Sequence, residues 1–510
     1  MPLEHAIAVT PADATALHAK MVEPSSHRKS LVEPRLLERL LLILFLLSLP
    51  LVNPWVRGDG VGYYAYARAP LIEHSLDFTH DYQFANESFR GERLDEYGQP
   101  KAGYRTITGH LDNHFTVGPA VLWFPFLLVA HGGVLLAREV GSSVLADGFS
   151  APYRYAMAIG TAIYGFLALL IAFRLARKYV NPLWAFLATL AIWWASSLPV
   201  YMYFNPSWSH AHSAFTAALF LWYWDRTREE RTTRQWIVLG LITGLMLNVY
   251  YPNLMIVAVV LAEAIWQYRE YLRTIPKPDG AAMRRLLSRQ VLFGAVVFVC
   301  LLPTFASRWI VYGGPFETGY LPISDFLWRS PVFLKVLFSA NHGLLSWTPV
   351  LALSLLGLLL FARRSPRVGI PFLAASVAFY LFISIYPDWA GISSFGNRFF
   401  ISLSALFIFG LAICLERVAG RFPSRRAATL ASATVLGCFA LWNLGMIYQW
   451  GTHLIPARGA ISFSQAAFNQ FQVVPRQMSS QLRRYLFRRS DLMRQIEQKD
   501  IEQMKQNTPP

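Results

Sequence analysis

The sequence predicts an all-α fold: a polytopic bundle of about eleven transmembrane helices with a long external first loop that contains juxtamembrane helices. Composition is the first observation behind this. Of the 510 residues, 54% are hydrophobic and only 15% charged, and the mean hydropathy is +0.34, too apolar for a chain that surrounds one core with a charged surface. The second is that the apolar residues come in blocks. Stretches such as 36–54, 152–175 and 291–312 supply the run of about 20 apolar residues that a bilayer crossing needs. In lipid the backbone has no outside hydrogen-bond partner, so each block has to be helical. The third is the placement of the basic residues, which fall between the blocks.

Residues 1–35 are polar and contain Pro11, Pro24 and Pro34. The first apolar run begins too late, and lacks the small-residue cleavage site, for a secretory signal, so it is read as a retained first span. The expected organisation is a cytoplasmic N-terminal arm over 1–35, a transmembrane domain over 36–450 that includes an external loop at 55–151, and a basic C-terminal tail over 451–510. Further spans are expected near 152–175, 182–203, 210–224, 236–250, 253–268, 291–312, 345–362, 369–386, 399–415 and 427–448. Cys300, Cys414 and Cys438 all fall inside apolar segments, where cysteine serves as a small core residue. They indicate neither a disulfide framework nor a metal knuckle.

A net charge of +16 on a soluble domain would point to nucleic acid. Here the charge reads as topology. The N-terminal arm has Lys20, Arg28, Lys29, Arg35 and Arg39, and the connections at 174–178, 226–234, 269–289, 363–367 and 417–426 are rich in Arg and Lys. The connections at 205–209 and 251–253 have none, and 313–344 and 387–398 have few. Positive-inside bias puts the first set in the cytoplasm and the second outside. The alternation holds only if the apolar stretch 115–137 is not a full span. Its Gly118, Pro119, Pro125 and Gly132-Gly133 suit a helix that lies in the interface or re-enters it. The tail is strongly basic (Arg483, Arg484, Arg488, Arg489, Arg494) yet an odd span count puts it outside. Leu482, Leu486, Met493 and Ile496 recur at helical spacing, which suits an amphipathic helix on anionic lipid; a miscounted span is the alternative.

Candidate chemistry gathers on the external side. The loop from Trp55 to His114 carries nine acids against six bases on a chain that is basic as a whole. Its aromatic residues argue against disorder, and loops of this length are commonly functional. Asp59 follows the first span directly, between Gly58 and Gly60, which let the backbone approach another group closely. A partly desolvated carboxylate there is suited to general-base work; the competing reading is a cap on a helix starting near Val61. His74, Asp77 and Asp81 share one face if their segment is helical, and His110, Asp112 and His114 alternate as on an extended segment. Either set could bind a divalent cation; the competing reading is a solvated helix or an N-terminal cap, and no metal is assigned. Arg398 opens a span, where an unpaired charge is costly, so it calls for an anionic partner. A lipid phosphate fits its fork, with a loop acid or snorkelling as the alternatives. His342 and Lys335 lie on the same side. His210 and His212, two apart on a helix, face different ways and suit aromatic packing.

Together these motifs resemble the GT-C superfamily of polytopic glycosyltransferases, in its bacterial polyprenyl-phosphate-sugar-dependent form. The likeness lies in a first span followed by an external loop that opens on an acidic motif, Gly58-Asp59-Gly60-Val61-Gly62-Tyr63-Tyr64. An interfacial segment beginning His114-Phe-Thr-Val-Gly-Pro is similar to that family's juxtamembrane helix. The stretch from Pro387 to Arg398 is similar to its Trp-Gly-Gly-x-x-Phe-Gly-x-Arg motif, with Ala390 in place of the first glycine. The resemblance covers about 36–450. It implies transfer of a hexose or pentose from a polyprenyl-phosphate-linked donor to an acceptor hydroxyl on a lipid-linked glycan, protein or lipid, at the external (periplasmic) face of the bacterial inner membrane. It implies Asp59 as catalytic base or acceptor-orienting group and Arg398 at the phosphate, with the second acid open among Asp77, Asp81 and Asp112; His114 and His342 stand beside these as further substrate-binding candidates. No cofactor and no nucleic acid are implied, and a divalent cation only weakly. A transporter or lipid flippase is the rival class, against which stand the lack of an internal repeat and the gathering of charge at the faces.

Overall fold

The structure, a computed structural model, describes residues 33–273 and 279–507. Most of the expected N-terminal arm, with Lys20, Arg28 and Lys29, and residues 274–278 of one basic connection lie outside the described residues. Among those described the fold is helical, and extended backbone pairs only in two isolated bridges, Leu94 with Pro100 and Arg105 with Leu111.

The first apolar run forms α1 (Pro34–Ser48), opened by a proline in its first turn, where the missing N–H costs nothing. The long loop then carries three short helices, α2 (Asp59–Arg68), α3 (Thr79–Gln83) and α4 (Glu87–Arg93). Next comes α5 (Gly118–Glu139), and then α6 (Ala151–Ala176), α7 (Pro182–Trp194), α8 (His210–Thr227), α9 (Thr233–Val249), α10 (Ala258–Leu272) and α11 (Gly280–Tyr312). Two short helices, α12 (Phe333–Phe338) and α13 (Leu344–Trp347), precede α14 (Val350–Arg364), α15 (Pro366–Ile385), α16 (Ser404–Ala419) and α17 (Arg425–Gly451). The tail adds α18 (Phe463–Phe468), α19 (Val474–Phe487) and α20 (Arg489–Asn507).

Each of the eleven expected spans coincides with one of these helices. Six helices among the described residues are long and apolar enough to cross a membrane: α5, α6, α11, α15, α17, and α16 extended by its leading turn from Arg398. The others are shorter. A π turn at Val200–Phe204 lies between α7 and α8 and a 3-10 turn at Tyr251–Val257 between α9 and α10, while a 3-10 turn at Arg398–Leu403 leads into α16. In a membrane protein such irregular backbone survives only where protein covers it or where it lines a cavity. α16 is buried almost along its length, whereas α11 is exposed over most of its surface. Gly357 of α14 and Gly410 of α16 bring those two helices into backbone contact: a Cβ on Gly357 would stand 1.7 Å from the Gly410 carbonyl oxygen.

The arginine-rich connections meet on one face. Glu38 pairs with Arg174 and Arg177 at 2.8 and 2.9 Å, Lys178 with Asp225 at 2.8 Å, and Arg231 with Glu263 at 3.1 Å. On the same face Glu416 accepts from the Asn181 backbone N–H, and Asn181 in turn accepts from Arg425. The charge alternation read from the sequence is thus a property of the folded chain.

Helix α5 qualifies as a span by length and composition, and runs unbroken through Pro125 and Gly132-Gly133. Its contacts place it differently. Tyr164 donates to the Leu122 carbonyl at 3.1 Å, Trp123 donates to Thr161 at 2.8 Å, and His131 bonds Tyr153 at 2.7 Å. It therefore runs antiparallel along the half of α6 remote from Arg174, and does not reach the arginine face.

Candidate active site

Asp59 is the first residue of α2, one position past Gly58, whose φ of +53° an L side chain rarely adopts. Its carboxylate makes no capping bond. Gly60 lies against the 205–209 turn so closely that a Cβ would stand 1.9 Å from the Ser207 hydroxyl oxygen. The glycines on either side of Asp59 therefore do what the sequence suggested, and the carboxylate is left free to face outward. What it meets is Arg398: Nη1 lies 2.8 Å from Asp59 Oδ2. Arg398 as a residue is 8% exposed, and its guanidinium stacks on the Trp208 ring at 4.3 Å. Trp208 donates from Nε1 to the Arg57 carbonyl at 3.0 Å, which links the arginine's platform to the turn that carries the aspartate. Arg398 Nε is buried without a hydrogen-bond partner, and Nη1 meets Asp59 as an ion pair without hydrogen-bond alignment. The guanidinium thus retains donors that a second anion would satisfy.

The pair borders a cavity of about 1970 Å³. Its lining changes character along its length. Near Asp59 and Arg398 it is polar and aromatic, with Tyr63, Trp208, His210 and Tyr250; toward α11 and α15 it is apolar, with Leu254, Leu301, Phe305, Phe316 and Phe382; toward α17 and the tail it has Leu444, Ile447, Met478 and Leu482. A small polar floor with long apolar walls suits an amphiphile whose head group is charged.

Two further expected residues, Asp112 and His114, also line this cavity. His114 Nδ1 is 3.6 Å from Asp112 Oδ2, and Tyr312 donates a short hydrogen bond to the same carboxylate. Burial pushes the Asp112 carboxyl up, but the bonds from His114 and Tyr312 outweigh it and hold it below the usual carboxylate range. The segment is fixed by Arg308, a residue the sequence reading passed over. Arg308 donates to the carbonyls of Asn113, His114 and Phe115 at 3.1, 2.8 and 2.8 Å and is 1% exposed. Its signal was an arginine inside an otherwise apolar span, the same signal that singled out Arg398.

Three expected substrate-binding residues lie elsewhere. Asp81 is buried in a bidentate pair with Arg68, at 2.6 Å (Nε to Oδ1) and 2.9 Å (Nη2 to Oδ2), with Glu73 closing on the same guanidinium at 2.8 Å. Burial lifts its carboxyl to about 6 while Arg68 pulls it back. Asp77 bonds the backbone N–H of Thr79 at 3.0 Å and so opens α3. Neither touches the cavity. They hold the loop in shape: Asp77 fixes the start of α3, and Asp81, with Glu73, neutralises the Arg68 that the chain between α2 and α3 buries. His342 packs against Trp347, with ring centroids 4.9 Å apart, off the cavity wall. Burial, with the Arg398 charge nearby, lowers its imidazole to about 4 and keeps it neutral. The two suspected metal sets do not assemble: Asp81 turns to Arg68, and His110 bonds Thr108 at 3.0 Å. No group of three His, Cys, Asp or Glu among the described residues has metal-binding geometry.

The Asp81 pair gives a stability prediction. Asp81→Ala leaves Arg68 buried with Glu73 as its one remaining carboxylate partner and should destabilise the protein by about 3–5 kcal/mol, read as an earlier thermal unfolding midpoint in detergent. Below that midpoint the specific activity should stay near the wild-type value.

The tail was the least legible segment. α19 and α20 lie on the Asp59 face, not the arginine face: Tyr485 donates to the Leu51 carbonyl at 2.7 Å, Arg489 reaches the Pro50 carbonyl at 2.6 Å, and Asn53 bonds Met493 Sδ at 3.3 Å. Of its apolar stripe, Leu482, Met493 and Ile496 line the cavity. Three residues of the stripe expected on lipid thus face the cavity, beside residues 50–53 that follow the first helix.

Residues 152–305 match the family model described as PMT_2, dolichyl-phosphate-mannose-protein mannosyltransferase. No curated protein sequence matches the chain. Among solved structures, the chain is similar to ArnT from Cupriavidus metallidurans in the apo state, at 12% identity over 81% of this chain and 71% of that one, with a TM-score of 0.45. It is similar also to the Archaeoglobus fulgidus oligosaccharyltransferase in the apo form, at 16% identity over 88% of this chain and 55% of that one, with a TM-score of 0.47. The family match supports a membrane glycosyltransferase of the kind the motifs resemble. The matched segment contains neither Asp59 nor Arg398, so it arises independently of those motifs.

Proposed function

We propose that this chain transfers a sugar from a polyprenyl-phosphate donor to an acceptor hydroxyl at the membrane face that carries Asp59. The observation that supports this most is the Asp59–Arg398 pair, set at the polar floor of a cavity with apolar walls. The family described for residues 152–305 names a dolichyl-phosphate donor, which belongs to the same chemical class of lipid phosphates.

In this reading the apolar walls take the polyprenyl chain and the donor phosphate settles against Arg398. The phosphate competes for the guanidinium and so releases the Asp59 carboxylate. Asp59 then accepts the proton of the attacking hydroxyl as the acceptor oxygen bonds to the anomeric carbon. The bond from that carbon to the phosphate oxygen breaks, and the electron pair leaves on the phosphate, where Arg398 stabilises the added charge. No nucleotide is needed, because the phosphate already activates the sugar. Asp112 and His114, held in place by Arg308, border the same space and would contact the sugar or the acceptor. On positive-inside grounds the arginine face is cytoplasmic and the Asp59 face is external, in a bacterial inner membrane.

The purified protein, reconstituted with radiolabelled polyprenyl-phosphate sugars and a membrane-extract acceptor, should release polyprenyl phosphate and label the acceptor. A panel of such donors that all remain intact would sink the proposal. For orientation, an impermeant thiol reagent applied outside intact cells should label a cysteine placed at Glu92 and not one at Arg231; the opposite pattern would invert the assignment.

A further inference from the structure

We infer that Asp500, in the last helix, is a positioning residue for the Asp59–Arg398 pair. The inference rests on the functional reading above and extends it to a segment that the family match and the catalytic motifs leave aside.

Asp500 ties together three parts of the chain. One carboxylate oxygen pairs with the guanidinium of Arg57, two residues before Asp59. The other meets His453 Nε2 at 2.7 Å, just past the end of α17. His453 itself has φ +61°, a backbone region that residues other than glycine seldom occupy, so the turn presenting it is held by its surroundings. Arg57 and Asp500 are 19% and 17% exposed, which places the pair at the cavity rim, out of full solvent screening. Both line the cavity. Burial pushes the Asp500 carboxyl up, but the hydrogen bond from His453 and the charge of Arg57 outweigh it and keep the group ionised.

The consequence for the reaction follows from the turn at 57–59. Gly58 is in a left-handed conformation and has no side chain to lock it, so the direction of the Asp59 carboxylate depends on what grips the turn. Three ties do. The Gly58 N–H donates to Asn86 Oδ1 at 3.0 Å, the Arg57 carbonyl accepts from Trp208 Nε1 at 3.0 Å, and the Arg57 side chain is anchored by Asp500. The second tie runs on to Arg398, which stacks on the same indole. Asp500 therefore acts through Arg57 on the aspartate and, through Trp208, on its arginine partner. Both of its carboxylate oxygens are taken up, by Arg57 and by His453, so its part is to hold the turn. A shift of about 1 Å in a reacting group can cost about a hundredfold in rate, and loosening one of three ties should cost a fraction of that.

The test uses the full-length protein and separates kcat from KM. Asp500→Asn should lower kcat about tenfold or more with the donor KM within about twofold, because Arg398 and the apolar walls are untouched. Asp500→Glu should recover most of the loss. Arg57→Gln should match Asp500→Asn, and the double variant should be no slower than either single one. Glu502→Gln, exposed on the same helix, should turn over at the wild-type rate. Wild-type turnover in Asp500→Asn, independent multiplying effects of the two single variants, or a fall explained wholly by less folded protein would each overturn the inference. If the wild type cleaves no polyprenyl-phosphate donor, the functional reading fails, but the contact is still checked in membranes: cysteines at 57 and 500 should be joined by a short bismaleimide. The absence of that cross-link overturns the inference by itself.

Discussion

Asp59→Asn should reduce kcat by about 10²- to 10⁴-fold while the donor KM stays level or falls. The amide has the shape of the carboxylate but cannot take the proton of the attacking hydroxyl, and general-base catalysis is commonly worth that range. It corresponds to roughly 3–5 kcal/mol at about 1.4 kcal/mol per decade. The KM expectation comes from the structure in particular. Arg398 is engaged by Asp59 at 2.8 Å, so removing the carboxylate's charge frees the guanidinium for the phosphate. A variant that binds donor at least as well and turns it over far more slowly is the signature of a group used in the chemical step. Initial rates against donor concentration supply both numbers. Equal rates for the two proteins would exclude Asp59 as the base.

Arg398→Ala should act on both constants. The side chain is 10% exposed, stacked on Trp208 and paired with Asp59; it is the cation proposed to meet the leaving group. Its loss should cost about 10²- to 10³-fold in kcat, the range seen when one preorganised charge-stabilising donor is removed, and should also raise the donor KM. Arg398→Lys should recover only part of this. An ammonium keeps the charge but not the flat fork that stacks on indole and spans two phosphate oxygens. A lysine variant as active as wild type would show that charge alone suffices, and a wild-type KM in Arg398→Ala would place the donor phosphate elsewhere. The contrast between the two sites, kcat alone for Asp59 and kcat with KM for Arg398, distinguishes a proton acceptor from a phosphate ligand.

The sequence by itself determined the helical class, the approximate position of each apolar helix, and the gathering of arginine-rich connections on one face. These are legible because lipid leaves the backbone no partner but itself, and because moving a guanidinium into hydrocarbon is costly wherever it occurs along the chain. Both rules act on local composition. The close backbone approach around Asp59 was legible too, since the glycines beside it announce a backbone pressed against something. Partnership was not legible. Asp81 and Asp112 are the same residue type in the same acidic loop, yet one is locked to Arg68 and the other borders the cavity, and nothing nearby in sequence separates them. Arg398 looked equally suited to a lipid phosphate, a loop acid or a snorkelling position until the folded chain put it on Trp208 and Asp59. Likewise the apolar stripe of the tail has helical spacing whether it lies on a bilayer or faces a cavity; only the folded chain shows Tyr485 and Arg489 bonded to the 50–52 backbone and Leu482, Met493 and Ile496 on the cavity wall. Tertiary structure settles these choices because a charge or an apolar stripe states what kind of partner it requires, while the packing of distant helices fixes which such partner comes within reach.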